Sequence, residues 1–236
     1  MINIPEKVWR GVIGGRMQVI SRSPLAHIAV VPQTIFWMGM RHRLTFYKLL
    51  RQVILQDVPG GVVELGCAHG NTSAFIAKTI RRFNSDKEFH VYDSFRGLPA
   101  PTVEDGENNM FLEGEFCAPK EAFKKNFLRS SGQCELPIIH EGWLKDTLPQ
   151  ALPEHVAFAY VDVDLYEPTF YALTHLYSRL SPGSVVYIDD YRHPRFPGVE
   201  RAVDKFLRDK PEEIVFLPPC PGYPDIGKTQ GYFVRK

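Results

Sequence analysis

Two pairs of aspartates follow two apolar stretches, and these four residues are the best suited to chemistry in the chain. Val156–Val161 is a continuous apolar run of strand length that ends at Asp162-Val163-Asp164, and Ser184–Ile188 ends at Asp189-Asp190. If the two runs are neighbouring parallel strands, about 4.8 Å apart, the four carboxylates meet at one edge of a sheet, where open α/β folds bind ligands. Like charges so close repel unless they are protonated or neutralised. A hard divalent cation would neutralise them.

A glycine-containing loop joins an earlier apolar strand to a helix. Gly66 and Gly70 allow a tight turn and a close approach of the backbone to a ligand, and Thr72 or Ser73 is expected to cap the helix that follows. The spacing Glu64-x-Gly-x-x-x-Gly differs from the dinucleotide-binding Gly-x-Gly-x-x-Gly. By itself it fits a structural turn as well as it fits a binding site.

The next strand, Phe89–Asp93, ends in an acid at the position where nucleotide-binding α/β units bind ribose hydroxyls. A long polar segment, residues 97–119, then interrupts the alternation. Loops of this length in a compact domain are usually functional or disordered, and we expect a lid. Trp143 lies after the following strand and could stack on a flat ring, although a packing role explains it equally well.

The totals indicate an ordinary globular protein. The chain has 236 residues, 44% hydrophobic and 23% charged, with a net charge of +1 and 4 scattered cysteines. These values favour one large α/β domain, with no electrostatic reason to bind nucleic acid or a membrane surface. The cysteine spacing fits neither zinc nor a disulfide framework. With no apolar span and no secretory pattern at the N-terminus, we expect a cytoplasmic protein.

Strands alternate with amphipathic helices from residue 41 onward, and this order predicts a doubly wound, mostly parallel sheet. The last two strands have no helix between them, so an antiparallel hairpin is expected at one edge. Residues 1–40 are predicted to form a helical cap that either packs on the domain or walls the substrate pocket. Residues 41–236 then form the main domain.

Five motifs occur in order between about residues 41 and 210. They are Glu64-x-Gly66-x-x-x-Gly70, Asp93-Ser94-Phe95-x-Gly97, Gly142-Trp143-x-x-Asp146-Thr147-Leu148-Pro149, Asp162-Val-Asp164-Leu-Tyr-Glu-Pro-Thr169 and Ile188-Asp189-Asp190-Tyr191. Together they resemble the macrocin O-methyltransferase family, whose members methylate hydroxyls on natural-product sugars with S-adenosylmethionine and a metal ion. The resemblance implies a Rossmann-like class I methyltransferase fold with a seven-stranded sheet and an antiparallel strand at its edge.

The resemblance also implies roles for individual residues. The cofactor site would comprise Glu64, Gly66, Gly70, Thr72, Ser73, Asp93, Ser94, Trp143 and Asp162. Asp162, Asp189 and Asp190 would hold Mg²⁺, and the catalytic residues would be Asp164, as general base, and Asp162. Residues i and i+2 of a strand face the same side, so either Asp162 or Asp164 could face the ion.

General chemistry agrees with a hard cation at this position. A purely carboxylate set suits Mg²⁺, Ca²⁺ or Mn²⁺, whereas zinc normally recruits His or Cys. His175 and His193 lie near the motifs, and for both a surface or capping role is expected rather than metal ligation.

Three other functions fit parts of the pattern. A catechol-type methyltransferase would keep the fold and the Mg²⁺ but act on phenolic hydroxyls. A non-catalytic nucleotide-binding scaffold would use the aspartates as helix caps, although four carboxylates at two strand ends are costly without a ligand. An NAD-linked dehydrogenase is disfavoured by the glycine spacing. The expected partner is a small-molecule acceptor, a glycosylated or hydroxylated natural product, and the sequence allows a homo-oligomer.

Overall fold

The computed structural model describes residues 40–106, 111–219 and 229–236, so the predicted cap, residues 1–40, lies outside the described part except for Met40. The helices are α1 (Met40–Leu55), α2 (Asn71–Arg82), α3 (Lys120–Ser131), α4 (Leu144–Ala151), α5 (Tyr166–Tyr177) and α6 (Pro197–Leu207). The strands are β1 (Gly61–Leu65), β2 (Phe89–Asp93), β3 (Ile138–Glu141), β4 (Val156–Val161), β5 (Leu180–Asp189), β6 (Val215–Leu217) and β7 (Gln230–Val234).

The strands form one seven-stranded sheet in the order β3-β2-β1-β4-β5-β7-β6. Neighbouring strands from β3 to β5 are parallel, and β7 runs antiparallel to both β5 and β6. The predicted α/β class, the seven strands and the hairpin at one edge are confirmed. β6 is the edge strand, and the antiparallel strand lies one place inside it. β1 and β4 are adjacent, so the chain reverses its winding direction between them, at the kind of position where ligands bind.

Helices cover both faces of the sheet, which explains why its central strands are apolar along their whole length. On β4, Phe158 and Tyr160 belong to the core beneath α1, α2 and α3, whereas Ala159 and Val161 belong to the core beneath α4, α5 and α6. With both faces buried, the polar residues of β4 and β5 are left at their carboxyl ends. Within the described ranges, no helix has the length and apolar character needed to cross a membrane.

The described parts of the segment between β2 and α3 are packed against the domain. Asp105 is only 2% exposed. Its Oδ1 accepts a hydrogen bond from the Tyr166 N–H at the start of α5 (2.7 Å), and its Oδ2 accepts one from the Thr102 N–H (2.8 Å). Phe111 stacks on Phe196 with the ring centroids 4.8 Å apart. Residues 107–110 lie outside the described part, and movement of this segment as a lid stays a prediction.

Two details differ from the sequence-based expectations. The sequence does not predict the helix α4, because it has only eight residues and contains Pro149. The predicted N-cap of α2 is also wrong. Its N-cap is Gly70, in the left-handed conformation, and no side chain caps the helix. Ser73 instead lies inside the first turn and hydrogen-bonds elsewhere.

Candidate active site

A cavity of about 590 Å³ opens at the carboxyl ends of β1, β2, β4 and β5. The predicted site residues that line it are Glu64, Gly66, Thr72, Asp93, Ser94, Trp143, Asp162 and Asp164. The remaining predicted residues, Gly70, Ser73, Asp189 and Asp190, are not part of its lining. Residues from four of the five motifs therefore meet around one cavity, although up to about 100 residues separate them along the chain.

The two predicted glycines are required for different steric reasons. Gly66 has φ +81°, and a Cβ there would overlap the carbonyl oxygen of Asp162. This close approach brings the loop after β1 against the end of β4. Gly70 has φ +75°, and a Cβ there would press on the ring of Phe123 in α3. Gly66 thus shapes the cavity, whereas Gly70 allows helix packing behind it.

Asp93 connects the glycine loop to the end of β2. Its Oδ2 accepts hydrogen bonds from the N–H groups of Cys67 (2.8 Å) and Ala68 (2.9 Å), and its Oδ1 accepts one from the Phe95 N–H (2.7 Å). A carboxylate has about four acceptor sites, so roughly one is left for a ligand hydroxyl. Asp93 therefore fixes the loop and can also bind a ligand, a double role that the motif alone does not reveal.

Glu64 is a buried carboxyl group at the end of β1. The Ser73 hydroxyl donates a hydrogen bond to its Oε2 at 2.5 Å. Burial raises the pKa of Glu64 to about 8, an effect that the Ser73 hydrogen bond opposes and the charge of Asp93 increases. At neutral pH the side chain consequently favours the protonated form.

Three carboxylates form a compact cluster. Asp162, Asp164 and Asp190 each offer one oxygen, and these oxygens all lie within 4.8 Å of one another. Asp164 (φ +63°) and Asp190 (φ +54°) both adopt the left-handed backbone conformation, which costs energy in most residues and is concentrated at functional sites. The cluster consists of hard oxygen donors, so its chemistry fits Mg²⁺, Ca²⁺ or Mn²⁺.

Asp189 lies outside this cluster. Its carboxylate is buried, and its Oδ1 accepts a hydrogen bond from the side-chain amide of Gln230 on β7. Asp189 is the last residue of β5, whereas Asp190 lies just beyond the strand in the left-handed conformation (φ +54°). Of the predicted ligands Asp162, Asp189 and Asp190, the structure therefore brings two together and adds Asp164.

Residues 193–196 form one wall of the cavity, and the sequence analysis assigned none of them to the site. His193 is only 7% exposed and lines the cavity, so of the predicted surface or capping role only the capping part fits. Its Nδ1 accepts a hydrogen bond from the Arg195 N–H at 3.2 Å, which is a capping contact within the turn. The Arg195 guanidinium lies over the ring of Phe111, 5.1 Å from its centroid. Residues 193–196 follow Asp189 and Asp190 closely in the sequence, and this position is the one sequence feature that could have indicated their place in the site.

Comparison with known proteins identifies relatives over most of the described chain. The family profile "Macrocin-O-methyltransferase (TylF)" matches residues 21–214. A tetracenomycin rhamnosyl 4'-O-methyltransferase of Streptomyces olivaceus is 34% identical over 66% of this chain. Demethyldecarbamoylnovobiocin O-methyltransferase of Streptomyces niveus is 32% identical over 71% of it. The solved structure of the O-methyltransferase NovP superposes with a TM-score of 0.67 at 28% identity, covering 84% of this chain and 81% of that one.

The matched regions span 64% and 66% of the lengths of the two Streptomyces enzymes, so their whole-protein activities are not carried over directly. The family profile, in contrast, covers well over half of this chain, and it includes all five motifs. The fold around those motifs is also that of the solved O-methyltransferase. The chain belongs to the macrocin O-methyltransferase family.

Proposed function

We propose that this protein is an S-adenosylmethionine- and Mg²⁺-dependent O-methyltransferase that acts on a hydroxyl group of a sugar in a natural product. One observation carries the proposal. Asp162 and Asp164 of the carboxylate cluster line the same cavity as the Gly66 loop and Asp93. A methyl donor and a metal-bound acceptor would therefore lie side by side.

The donor half of the cavity would hold S-adenosylmethionine against the ends of β1 and β2. Asp93 retains acceptor capacity for a ribose hydroxyl after its three backbone hydrogen bonds. Trp143 is half-buried on the lining, where its ring can lie against the adenine. Glu64 faces the same space and can ionise when the positively charged donor binds. These contacts would orient the methyl group toward the end of β4.

The acceptor half would be organised by the aspartates. Methyl transfer from a sulfonium is an in-line displacement, so donor and acceptor must be aligned at about 3 Å. When bound, Mg²⁺ supplies a Lewis acid that lowers the pKa of the acceptor hydroxyl and fixes its position. Asp162 and Asp190, with Asp189 or Asp164, would hold the ion. Asp164 lies at the cavity surface, where it can accept the hydroxyl proton.

The relatives favour a sugar as the acceptor. One of them is named for 4'-O-methylation of a rhamnosyl tetracenomycin. A catechol acceptor would need the same aspartates, so only a direct comparison of acceptors separates the two classes.

The function is tested first by calorimetric titration with S-adenosylmethionine, followed by methylation assays. We expect micromolar binding, and methylation of hydroxylated glycosides that EDTA abolishes and added Mg²⁺ restores. A panel of catechols serves as the comparison set. Absence of S-adenosylmethionine binding by the folded full-length chain would contradict the proposal, and activity that survives EDTA would remove the metal from it.

Replacement of Asp93 by alanine should weaken S-adenosylhomocysteine binding by about 1–3 kcal/mol, the range for hydrogen bonds to a charged group. The variant loses both the ligand contact and the brace on the glycine loop. Calorimetry measures the affinity. Asp86→Ala, which removes an exposed aspartate between α2 and β2, is the matched control. Equal affinities in the two variants would show that the cofactor does not bind at the end of β2.

A further inference from the structure

The strands β4 and β5 share a Tyr-x-Asp pattern at their carboxyl ends. Tyr160 precedes Asp162 by two residues, and Tyr187 precedes Asp189 by two. The two tyrosines are paired in the sheet, and Tyr187 is paired in turn with Tyr232 of β7. The ring centroids are 6.1 Å apart in the first pair and 6.3 Å in the second. A row of three tyrosines therefore crosses the sheet just below the aspartates.

Two of these tyrosines are connected to the aspartates by hydrogen bonds. The Tyr160 hydroxyl donates to Asp162 Oδ2 at 3.1 Å. The Tyr187 hydroxyl donates to Gln230 Oε1 at 2.5 Å, and the Gln230 amide donates to Asp189 Oδ1. The amide NH₂ of Gln230 faces Asp189, and its carbonyl accepts from the tyrosine, so both ends of the side-chain amide are hydrogen-bonded. Each aspartate thus has a donor of fixed direction.

These donors are held rigidly in the interior. Tyr187 and Gln230 are fully buried, and Tyr160 is nearly so. Phe46 of α1 packs edge-on against both tyrosine rings, with centroid distances of 5.3 Å to Tyr160 and 5.0 Å to Tyr187. Water has little access to compete for these hydrogen bonds, and the packed rings restrict the rotamers of the tyrosines. The aspartates are consequently oriented before any ligand binds.

We infer that Tyr160 and the Tyr187–Gln230 pair are positioning residues that orient Asp162 and Asp189 for a divalent cation. The inference rests on the proposed function, because it assumes that Asp162 and Asp189 both bind a metal ion, Asp189 from outside the cluster of Asp162, Asp164 and Asp190. Outer partners of metal ligands typically account for 10–100-fold in metal affinity. Gln230 comes from β7, so the antiparallel strand contributes to the site although it lies outside the motifs.

The test compares three variants of the full-length protein. Tyr160→Phe removes one donor, Gln230→Met removes the other with little change in side-chain length, and Tyr232→Phe is the matched control. Among the described residues, the Tyr232 hydroxyl makes no hydrogen bond, although its ring belongs to the same row. Mn²⁺ affinity is measured by electron paramagnetic resonance without cofactor or acceptor, and S-adenosylhomocysteine affinity by calorimetry. Turnover is then measured as a function of Mg²⁺ concentration.

We expect Tyr160→Phe and Gln230→Met to weaken Mn²⁺ affinity about tenfold or more, with S-adenosylhomocysteine affinity unchanged and turnover restored by high Mg²⁺. Tyr232→Phe should behave as the wild type. Wild-type Mn²⁺ affinity in both Tyr160→Phe and Gln230→Met would overturn the inference while leaving the proposed function intact, and so would an equal loss in Tyr232→Phe. A wild-type protein that binds no Mn²⁺ would overturn both.

Discussion

Replacement of Asp190 by asparagine is expected to abolish Mg²⁺-dependent turnover and to weaken Mn²⁺ affinity by more than about 100-fold, since even the loss of an outer partner costs 10–100-fold. Asp190 is almost fully buried and offers an oxygen to the cluster with Asp162 and Asp164. Asparagine has nearly the same shape and tolerates the left-handed backbone at this position (φ +54°). The variant therefore tests the charge with little disturbance of the backbone.

Two measurements separate loss of the metal from loss of the fold. Removing one of three clustered like charges relieves repulsion in the metal-free protein. The free energy of unfolding without metal should consequently not fall, and S-adenosylhomocysteine affinity should be retained. If Asp190→Asn keeps wild-type Mn²⁺ affinity, the cluster does not bind the metal.

Asp189→Asn is the informative companion variant. If Asp189 is a metal ligand, as the family resemblance implies, Asp189→Asn should weaken Mn²⁺ affinity as much as Asp190→Asn does. If Asp189 is instead held by Gln230 outside the ligand set, Asp189→Asn should weaken Mn²⁺ affinity less than Asp190→Asn does. The ratio of the two losses assigns the ligand set.

The sheet could be predicted because its strands are governed by local patterns. A strand buried on both faces must be apolar throughout, so Val156–Val161 was identifiable without any knowledge of its neighbours. Because the apolar run stops at Asp162, the sequence also predicts that Asp162 and Asp164 lie at the end of this strand. Short elements were harder, because α4 has eight residues and an internal proline, so its stability depends on packing that no local pattern records.

The part of the site that lies within the sequence motifs could be predicted. Eight of the predicted residues line the cavity. The contacts that support them come from distant parts of the chain: Gln230 reaches Asp189 from β7, and Asp105 caps α5 from the segment after β2. Such contacts depend on sheet order and on side-chain direction, neither of which the spacing of residues specifies. For this reason the N-cap expected at Thr72 or Ser73 is wrong, and the role of Asp189 as a metal ligand stays a prediction.

Replacement of Asp164 by asparagine should lower turnover by about 10²–10⁴-fold, the usual contribution of a general base, and should leave S-adenosylmethionine affinity close to the wild-type value. Asp164 is half-buried and lines the cavity, unlike Asp190. This position gives it access to an acceptor hydroxyl. Asparagine again suits the left-handed backbone (φ +63°) but cannot take up a proton.

Mn²⁺ affinity distinguishes the two roles that the geometry allows to Asp164. A base that does not bind the metal leaves Mn²⁺ affinity within a few-fold of the wild type, and high Mg²⁺ does not restore turnover. A ligand would lose affinity in parallel with Asp190→Asn, and its turnover would recover as Mg²⁺ is raised. Because Asp164 lies within 4.8 Å of both Asp162 and Asp190 at their nearest oxygens, distance alone favours neither role. Exposure to the cavity favours the base, since a proton acceptor must reach the substrate whereas a metal ligand need not.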